Sequence, residues 1–392
     1  INSRGVVFVE EDTSIADPYA PNCWVGECFV QHAVKWQGVP TDLGALPGVN
    51  SSFASGINDA GELSGTSENS IIDPLTGFPE VRAVHWKHGT IKDLGTLGGN
   101  ASAAAAINNH GLIVGEALNT TPDSYSSGFA PGTGFFPVAT QRHAVLWKHE
   151  NILDLGTLGG PDSLALFVNE RGQIAGPSYT NSIPNSANDW CGVNIPPTHP
   201  FIILKHGKMT DLGTLGGTCG IPDWLNNEGQ IVGFSTLSGD QTVHPFLWTN
   251  PGPMQDLGTL GGSTGQAYSI NDGGDAAGWV TKSGDVIYRA VLWKNEKHRK
   301  PTDLGVLKGY VDSFAYSINS KLQIIGCLSN SASACTVAFL WENGRMFDLN
   351  KLIPPHSGFT LEEPQFISDA GEIEVIGRLK NGNLHAFVLI PN

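Results

Sequence analysis

The stretch Asp93–Gly99 reads DLGTLGG. The tripeptide Asp-Leu-Gly recurs along the chain at spacings between 45 and 61 residues, and the last copy is the degenerate Asp-Leu-Asn. The copies begin at Asp42, Asp93, Asp154, Asp211, Asp256, Asp303 and Asp348. Self-similarity at such a period is typical of propellers and solenoids, in which each repeat is one small structural unit. This repeat therefore decides the fold before any local propensity is considered.

Each repeat contains four short apolar segments separated by turn residues. In the second repeat these segments, labelled A to D, are Ala101–Asn108, Leu112–Ala117, His143–Trp147 and Ile152–Leu155. Short strands at intervals of about eight to twelve residues indicate antiparallel sheet. Four such strands per repeat are typical of a propeller blade. A solenoid is the alternative, but its repeats are usually shorter and its ends need capping units.

The turns between segments A and B number seven, which predicts seven blades. We therefore predict an all-β, seven-bladed propeller of four-stranded antiparallel blades as a single domain over residues 1–392, with a strand and disulfide loop in 1–31 and blades in 32–392. The N-terminus supplies strands C and D, and the C-terminus supplies A, B and a C-like strand, His385–Leu389. Joining them in one blade would remove open sheet edges. Three-plus-one and two-plus-two closures both fit.

Composition narrows the class of partner. The hydrophobic share of 40% is too high for a disordered chain. The net charge of −15 argues against nucleic acid and anionic membrane as partners, because both require a cationic surface. No apolar run approaches the roughly 20 residues of a membrane helix. A small hydrophobic molecule is the partner we expect.

The cysteines and the sequons point to a secreted protein. Proximity favours three disulfides among the six cysteines, and none of these forms the CxxC pairs of a zinc site; the pairs are Cys23 with Cys28, Cys191 with Cys219, and Cys327 with Cys335. Disulfides are typical of proteins in oxidising compartments. N-glycosylation sequons begin at Asn50, Asn100 and Asn119. The chain starts at Ile1 without an initiator Met, which predicts a removed leader.

Long connections predict which face carries function. The B–C connections are extended in the first three full repeats, over 67–81, 117–142 and 178–198. Loops of this length often bind or cover a ligand. The proposed disulfides and the sequons fall on the same predicted face, which predicts a stapled lid over one mouth of a central channel. The alternative is that the loops lengthened without function and were then braced by disulfides.

The repeats can be compared with one another. The Asp of each DLG, the His or Arg that opens each C strand, and the Trp near its end recur, so we interpret them as structural. Residues that break the pattern are candidates for a site. Two residues before the last apolar residue of each A strand stand Ser55, Ala105, Leu166, Asp223, Tyr268, Tyr316 and Gln365. Other departures from the pattern are Trp190, Trp224, Trp279, Glu362, Glu363 and Arg378. Aromatic walls with a few polar groups are typical of a small-molecule pocket.

The H-A-F/V-x-W strand, as at His143–Trp147, together with DLGTLGG, resembles the HAF-repeat proteins over nearly the whole chain. In overall character the chain is also similar to the fungal hetero-Diels–Alderases of tropolonic sesquiterpene biosynthesis. That resemblance implies a secreted enzyme without cofactor or metal, joining a tropolone quinone methide to a humulene-type alkene by orientation and hydrogen bonding. The implied roles are donation by Arg378, Tyr268 and Tyr316, stacking by Trp190, Trp224 and Trp279, and further substrate contacts from Asp223, Glu363 and Gln365.

Two other classes of function remain open. A lectin or adhesion module would use the same face for glycans or protein, although lectins usually repeat their site in each blade. A polysaccharide lyase would need a Tyr/His/Arg set in an open groove. Motifs of zinc peptidases and P-loop proteins (HExxH, GxxxxGK[ST]) do not occur in the sequence.

Overall fold

The computed structural model describes residues 1–20, 23, 28–75, 77–129, 138–149, 151–186, 188–204, 207–330 and 335–391. Across these ranges the chain is built from β-strands, with two short 3-10 helices at Ser126–Gly128 and Leu349–Lys351. The all-β prediction is confirmed. Contacts divide the chain into two compact units, unit 1 (Ile1–Leu212) and unit 2 (Gly213–Asn392).

In its described part, unit 1 contains successive antiparallel sheets whose strands hydrogen-bond in chain order. These are sheet 1, of β1 (Val7–Ala16), β2 (Phe29–Trp36) and β3 (Pro40–Asp42); sheet 2, of β4 (Ser52–Ile57), β5 (Leu63–Ile72), β6 (Pro79–Lys87) and β7 (Thr90–Asp93); sheet 3, of β8 (Ser102–Ile107), β9 (Ile113–Pro122), β10 (Thr140–Lys148) and β11 (Asn151–Asp154); and sheet 4, of β12 (Phe167–Val168) and β13 (Ile174–Tyr179), then, after the hairpin of β14 (Asn188–Asp189) and β15 (Gly192–Val193), of β16 (Thr198–Ile203) and β17 (Met209–Asp211).

Unit 2 repeats the pattern. Its sheets are sheet 5, of β18 (Gly216–Leu225), β19 (Ile231–Leu237), β20 (Val243–Trp248) and β21 (Gln255–Asp256); sheet 6, of β22 (Gly261–Ile270), β23 (Ala276–Lys282), β24 (Tyr288–Trp293) and β25 (Thr302–Asp303); sheet 7, of β26 (Asp312–Ile318), β27 (Ile324–Ser329), β28 (Val337–Glu342) and β29 (Arg345–Asp348); and sheet 8, of β30 (Phe359–Ile367), β31 (Ile373–Leu379) and β32 (Leu384–Leu389). The four-stranded sheets have the A–B–C–D order of propeller blades.

The predicted closing blade is not observed. The first and last strands lie in separate three-stranded sheets, sheet 1 and sheet 8. The physical reason is that β1 pairs antiparallel with β2 from Val7↔Trp36 onward and so occupies the position of a B strand. Apart from the β14–β15 hairpin, the described strands fall into eight groups that follow the repeat, of which sheets 5 and 6 are also joined by a parallel pairing of β20 with β22. A closed ring of seven blades is not what they show.

The DLG string forms the turn that ends each D strand. In sheet 3, a carboxylate oxygen of Asp154 accepts a hydrogen bond from the Gly156 amide at 2.8 Å, and His143 Nδ1 lies 2.9 Å from the same carboxylate. Gly156 has φ +73°, a left-handed conformation that a side chain would strain. The recurring His and Asp are therefore a structural pair across strands C and D, as the repetition predicted.

Neighbouring sheets are joined by a buried serine. Ser163 Oγ donates to the Gly156 carbonyl at 2.6 Å and accepts from the Ala144 amide at 2.8 Å, so it links the start of sheet 4 to strands C and D of sheet 3. Ser163 is fully buried. Ser52, Ser102 and Ser313 make the same pair of bonds at the equivalent positions. A backbone amide and a carbonyl are thereby satisfied at each junction.

The A–B turns form a ladder of side-chain amides. Asn108 Nδ2 donates to the Asn169 carbonyl of the next turn at 2.9 Å, and Asn108 Oδ1 accepts from the His110 and Leu112 amides at 3.0 Å. In unit 2 the same bond runs from Asn271 to Asn319 at 3.0 Å. The A–B turns, whose number predicted the number of blades, thus also carry hydrogen bonds between neighbouring sheets within each unit.

The predicted long loops are partly strand. The B–C connection of sheet 2 is a longer hairpin, in which β5 and β6 remain paired as far as Ile72↔Pro79. The connection of sheet 3 likewise stays paired to Pro122↔Thr140. The third contains the β14–β15 hairpin. The expected loop over 67–81 is therefore in large part, and the described part of the expected loop over 117–142 is in part, an extension of strands B and C, because hydrogen bonding continues past the blade.

Candidate functional site

The row of variable residues in the A strands is a row of β-bulges. In these strands the pairing register between strands A and B shifts by one residue, so that one residue of strand A has no paired residue on strand B. Within the described chain the extra residues are Ser55, Ala105, Asp223, Tyr268, Tyr316 and Gln365. A bulge bends the strand and redirects the extra side chain, which is why bulges are common beside active sites. Position in the repeat and backbone geometry therefore select the same residues.

In unit 2 one bulge residue is hydrogen-bonded to the A strand of the next sheet. Asp223, from β18, accepts two hydrogen bonds from the side-chain amide of Gln266 on β22, with Nε2 at 3.0 Å and 2.9 Å from its two carboxylate oxygens. Burial raises the pKa of Asp223 to about 7, and the Gln266 bond opposes this shift only in part. A carboxyl group of this kind exchanges its proton near neutral pH.

Two tyrosines continue the row. The rings of Tyr268 and Tyr316, on the A strands of sheets 6 and 7, lie 5.7 Å apart and are tilted by 55°. Both side chains are half-buried, and burial raises the pKa of both hydroxyls. The negative charge of Asp223 adds to the shift of Tyr268, and that of Glu363 to the shift of Tyr316. Both hydroxyls therefore stay protonated and can donate hydrogen bonds at neutral pH.

An aromatic wall stands beside the tyrosines. Trp279 packs on Tyr288 at 5.4 Å and on Phe314 at 6.0 Å, and Tyr288 lies 5.4 Å from Phe314. Trp279 is 8% exposed, and no described atom meets the hydrogen-bond geometry for its indole N–H. The Trp279 side chain opposes in part the rise that burial causes in the pKa of the Tyr268 hydroxyl, so the two groups face each other.

A disulfide borders the other side of Tyr316. The Tyr316 hydroxyl lies 3.0 Å from the sulfur of Cys335 and 3.3 Å from that of Cys327, and these two cysteines are bonded to each other. We call Asp223, Gln266, Tyr268, Trp279 and Tyr316 the bulge-row site. Its polar groups are one acid, one amide, two hydroxyls and an indole N–H, all on adjacent strands of sheets 5 to 7.

Gln266, Tyr288 and Phe314 were missed by the comparison of repeats. Gln266 is two residues before Tyr268 on the same strand, and Phe314 is two before Tyr316. Alternation along a strand puts such residues on the same face. That period, applied backward from the variable row, would have selected both. Tyr288 begins β24, outside the A and B strands that the comparison used.

Arg378 is placed elsewhere. Its guanidinium group pairs with Glu362, with both nitrogen–oxygen distances at 3.1 Å, and donates to the Gly382 carbonyl at 3.0 Å. Among the described contacts none joins Arg378 to Tyr268 or Tyr316, so the expected set of three donors is not brought together. Arg378 instead lines a cavity of about 410 Å³ formed by the segment before β30 and the end of β31.

The remaining predicted residues are spread more widely. Trp224 stacks on Phe366 at 6.2 Å, so it packs within unit 2 against a residue of β30. Glu363 and Gln365 are exposed on β30, and of these Glu363 acts on the site through its charge. Trp190 belongs to unit 1, beside the β14–β15 hairpin, and is 52% exposed.

The cysteines agree with the prediction and one sequon does not. Cys23 is bonded to Cys28, and Cys327 to Cys335; Cys191 and Cys219 are buried and disulfide-bonded as well. Disulfides in this number suggest an oxidising environment such as the secretory pathway. Asn50 is 1% exposed, and its side-chain amide donates to the Leu46 and Pro47 carbonyls. It is therefore not accessible to a glycan, and the prediction at Asn50 is wrong.

The amides of Asn100 and Asn119 are half-buried and hydrogen-bonded to Asp73 and Gln141. No group of three His, Cys, Asp or Glu side chains with metal-binding geometry occurs among the described residues. Within the same ranges, no helix combines the length and the apolarity that spanning a bilayer takes.

No protein-family model matches the chain, and no curated protein matches it. Several solved structures are similar to it, and two of them are peptidases. One is the acylaminoacyl peptidase of Pyrococcus horikoshii, at 12% identity and a TM-score of 0.41, over 96% of this chain and 56% of that one. The other is dipeptidyl peptidase 4 of Porphyromonas gingivalis, at 8% identity and 0.49, over 89% and 55%. This chain thus covers little more than half of either peptidase chain, and likeness at this level carries no argument about activity.

The resemblance to the HAF-repeat proteins and to the fungal hetero-Diels–Alderases is wrong. Neither a family model nor a curated relative supports it. The physical reason lies in what the motifs encode. The His, the Asp and the Gly of these strings make the hydrogen bonds and the turn of a blade, so they identify an architecture and not a family.

Proposed function

We propose that the bulge-row site of unit 2 binds a small, largely apolar molecule that carries a carbonyl or hydroxyl oxygen. The observation that carries the proposal is the meeting of three bulge residues, Asp223, Tyr268 and Tyr316, beside the wall formed around Trp279. Apolar surface with a few convergent polar groups is the usual form of such a site. The half-burial of the tyrosines and of Asp223 leaves part of each accessible to a ligand.

The chemistry that these residues support is donation of a hydrogen bond or a proton. The Tyr268 and Tyr316 hydroxyls and the protonated form of Asp223 are donors in surroundings of low polarity, where such bonds are stronger than in water. A donor aimed at a carbonyl oxygen withdraws electron density from the attached unsaturated system and stabilises negative charge that develops on the oxygen. The aromatic rings would hold the apolar part of the molecule in one orientation.

A cycloaddition is the finer reaction predicted from the sequence, between a tropolone quinone methide and a humulene-type sesquiterpene. A donor to the oxygen of the electron-poor partner and an apolar wall for the alkene are the two features such a reaction needs. This assignment stays a prediction, and so do a secreted location and the rival classes of lectin and polysaccharide lyase. The side chains at the bulges differ from sheet to sheet, which favours one site over a site repeated in each blade.

The binding proposal is tested with tropolone, an oxygenated aromatic ring, and with cycloheptatriene, which lacks the oxygens. Binding of each is measured by protein-observed NMR and by fluorescence in wild type and in Tyr268→Phe, Asp223→Asn and Trp279→Phe. We expect saturable tropolone binding that the Tyr268 and Asp223 variants weaken by roughly threefold to tenfold, the range of one net hydrogen bond. Cycloheptatriene binding would be lowered by Trp279→Phe alone.

Tyr310→Phe is the matched control, because Tyr310 belongs to unit 2 and packs in the core between sheets 6 and 7. It should leave tropolone binding unchanged. Equal tropolone affinity in wild type and all three site variants, with unfolding curves like that of wild type, would show that the bulge row is not the binding site.

A further inference from the structure

The cavity that Arg378 lines is formed by one continuous loop and the end of one strand. The lining segment begins at Asn350 in the second 3-10 helix, continues through the connecting loop and ends at Thr360 in β30, and the strand end is 378–380. Its volume of about 410 Å³ lies within the usual range for small-molecule sites. None of the bulge-row residues contributes to its lining. This cavity of unit 2 is therefore separate from the proposed site.

Hydrogen bonds hold the loop in place. Asn350 Nδ2 donates to the Leu361 carbonyl at 3.0 Å, and the Leu361 amide donates to Asn350 Oδ1 at 2.7 Å. Ser357 Oγ donates to the Pro354 carbonyl at 2.5 Å. Phe359 is fixed by stacking on Phe387, with ring centroids 4.1 Å apart. The cavity is thus formed before any ligand arrives, so little ordering entropy is lost on binding.

The charges that line this cavity have one sign. His356, Arg378 and Lys380 are the titratable side chains of the lining, and no carboxylate is among its described lining residues. This is unusual in a chain with a net charge of −15. Arg378 is already paired with Glu362. Lys380, by contrast, makes no ion pair or side-chain hydrogen bond with any described residue, so its ammonium group is available to an anion.

Apolar groups make up the rest of the wall. Ile353, Pro354, Pro355, Phe359 and Leu379 line the cavity beside the cations. Inorganic phosphate or sulfate would use the charge and leave this apolar surface without a partner. An apolar molecule without charge would leave Lys380 unused. The lining fits a ligand that has both parts.

We propose that this cavity binds a small carboxylate with an aromatic or alkyl body, its carboxylate on Lys380 and its body against Phe359 and Leu379. The ligand class follows from the single available ammonium group and the apolar wall next to it. Arg378 supports the site through its stem, because its guanidinium group is already paired with Glu362.

The test uses 3-phenylpropanoate and its uncharged counterpart, 3-phenylpropanamide, with binding followed by ligand-observed NMR and calorimetry on the full chain. We expect the acid to bind at least tenfold more tightly than the amide. Lys380→Gln should reduce that ratio to about one, and Phe359→Ala should weaken both ligands. Lys294→Gln, which removes an exposed lysine outside the cavity, should change neither.

Equal affinity for acid and amide, or an unchanged ratio in Lys380→Gln, would overturn the proposal. Lys380 is exposed, so its substitution does not threaten folding. Binding of inorganic phosphate with the affinity of the acid would also overturn it, because the apolar wall would then contribute nothing. Tyr268→Phe and Trp279→Phe should leave 3-phenylpropanoate binding intact, so failure at one site is distinguishable from failure at the other.

Discussion

At the scale of single residues, the side chain of Asp223 is the one whose chemistry departs most from its ordinary behaviour. An Asp that is solvated loses its proton near pH 4. Here one amide donor, Gln266, replaces the several waters that would stabilise the charge. The result is a pKa of about 7, so the group is protonated in part of the physiological range. Its protonation state therefore couples any ligand bound at the bulge row to pH.

We predict that Asp223→Asn changes how stability depends on pH. The folded-state pKa is raised, so the native state binds more protons than the unfolded state between about pH 4 and 7, and wild type loses stability as the pH rises. The Asn side chain has no such dependence. Measured by urea unfolding, the variant should gain roughly 1–3 kcal/mol relative to wild type between pH 5 and pH 8.

Asp272→Asn is the control, because Asp272 is exposed in the next A–B turn. Its stability should follow that of wild type across the same range. If the difference between Asp223→Asn and wild type were the same at pH 5 and pH 8, the raised pKa would be refuted. Carbon-13 titration of the carboxyl groups, compared between the two proteins, measures the midpoint directly.

The predictions made from single residues succeeded or failed for identifiable reasons. Repetition separated the structural His–Asp pairs from the variable row, because each blade needs the same bonds. It could not show that the row is bulged, since an inserted residue leaves no mark in a sequence that is compared only by position. It also misplaced Arg378, because pairing with Glu362, a bulge residue of β30, pulls its side chain to another surface.

At the scale of elements, stability comes from hydrogen bonds that are repeated between adjacent sheets. The turn amide of Asn108 makes one bond to the following turn and accepts two within its own. It is 2% exposed, so water cannot replace these partners when the side chain is removed. Ser163, at the opposite end of strand A, is also buried, so water cannot replace its partners either.

We predict that Asn108→Ala destabilises unit 1 by about 2–4 kcal/mol, because a buried carbonyl and two backbone amides lose their partner. His110→Ala, in the same turn but exposed, should change stability by less than about 0.5 kcal/mol. Thermal and urea unfolding followed by circular dichroism measure both. Comparable losses in the two variants would mean that the amide ladder is dispensable.

Element boundaries were predictable where the pattern was regular. Strands A to D of the second repeat are observed within a few residues of their predicted bounds. The B–C segments were expected as loops because the connections between the repeated B and C strands are longer there, but cross-strand pairing continues through part of them. Tertiary hydrogen bonding of this kind overrides local propensity.

At the scale of the whole molecule, buried carboxyl groups set the response to pH. Burial raises the pKa of Glu68 to about 7 and of Asp162 to about 6, in addition to Asp223. One oxygen of Glu68 and one of Asp162 have no hydrogen-bond partner among the described atoms, which is consistent with a retained proton. His85 acts in the opposite direction, because burial lowers its pKa and acid then favours the unfolded state.

We predict that the protein is more stable at pH 5 than at pH 8. Three carboxyl groups with raised pKa values lose stability as the pH rises toward 7, whereas a single histidine opposes them. The carboxyl groups with lowered pKa values, such as Asp42 and Asp256, lose their contribution only below about pH 4. The unfolding temperature should fall by on the order of 5 °C from pH 5 to pH 8.

Differential scanning calorimetry measures this fall. In Glu68→Gln it should become smaller, because that variant has one such carboxyl group fewer. An unfolding temperature that rises from pH 5 to pH 8 would contradict the prediction.

Blade number could not be obtained from the sequence for a reason that operates at this scale. The count of A–B turns is a count of A strands, and sheet 1 has no A strand. Its B position is taken by β1, whose sequence VFVEEDTSIA does not resemble the B strands of the other sheets. A count of A–B turns therefore cannot detect a terminal sheet that has no A strand.

Within unit 1, the amide ladder and the buried serines join each sheet to the next one in the chain. Force applied to the ends of such a polypeptide is borne by one junction at a time. Under tension we expect the sheets to detach in sequence, each release lengthening the chain by a similar step of some tens of residues. A terminal sheet could then be lost by proteolysis while the interior ones stay folded.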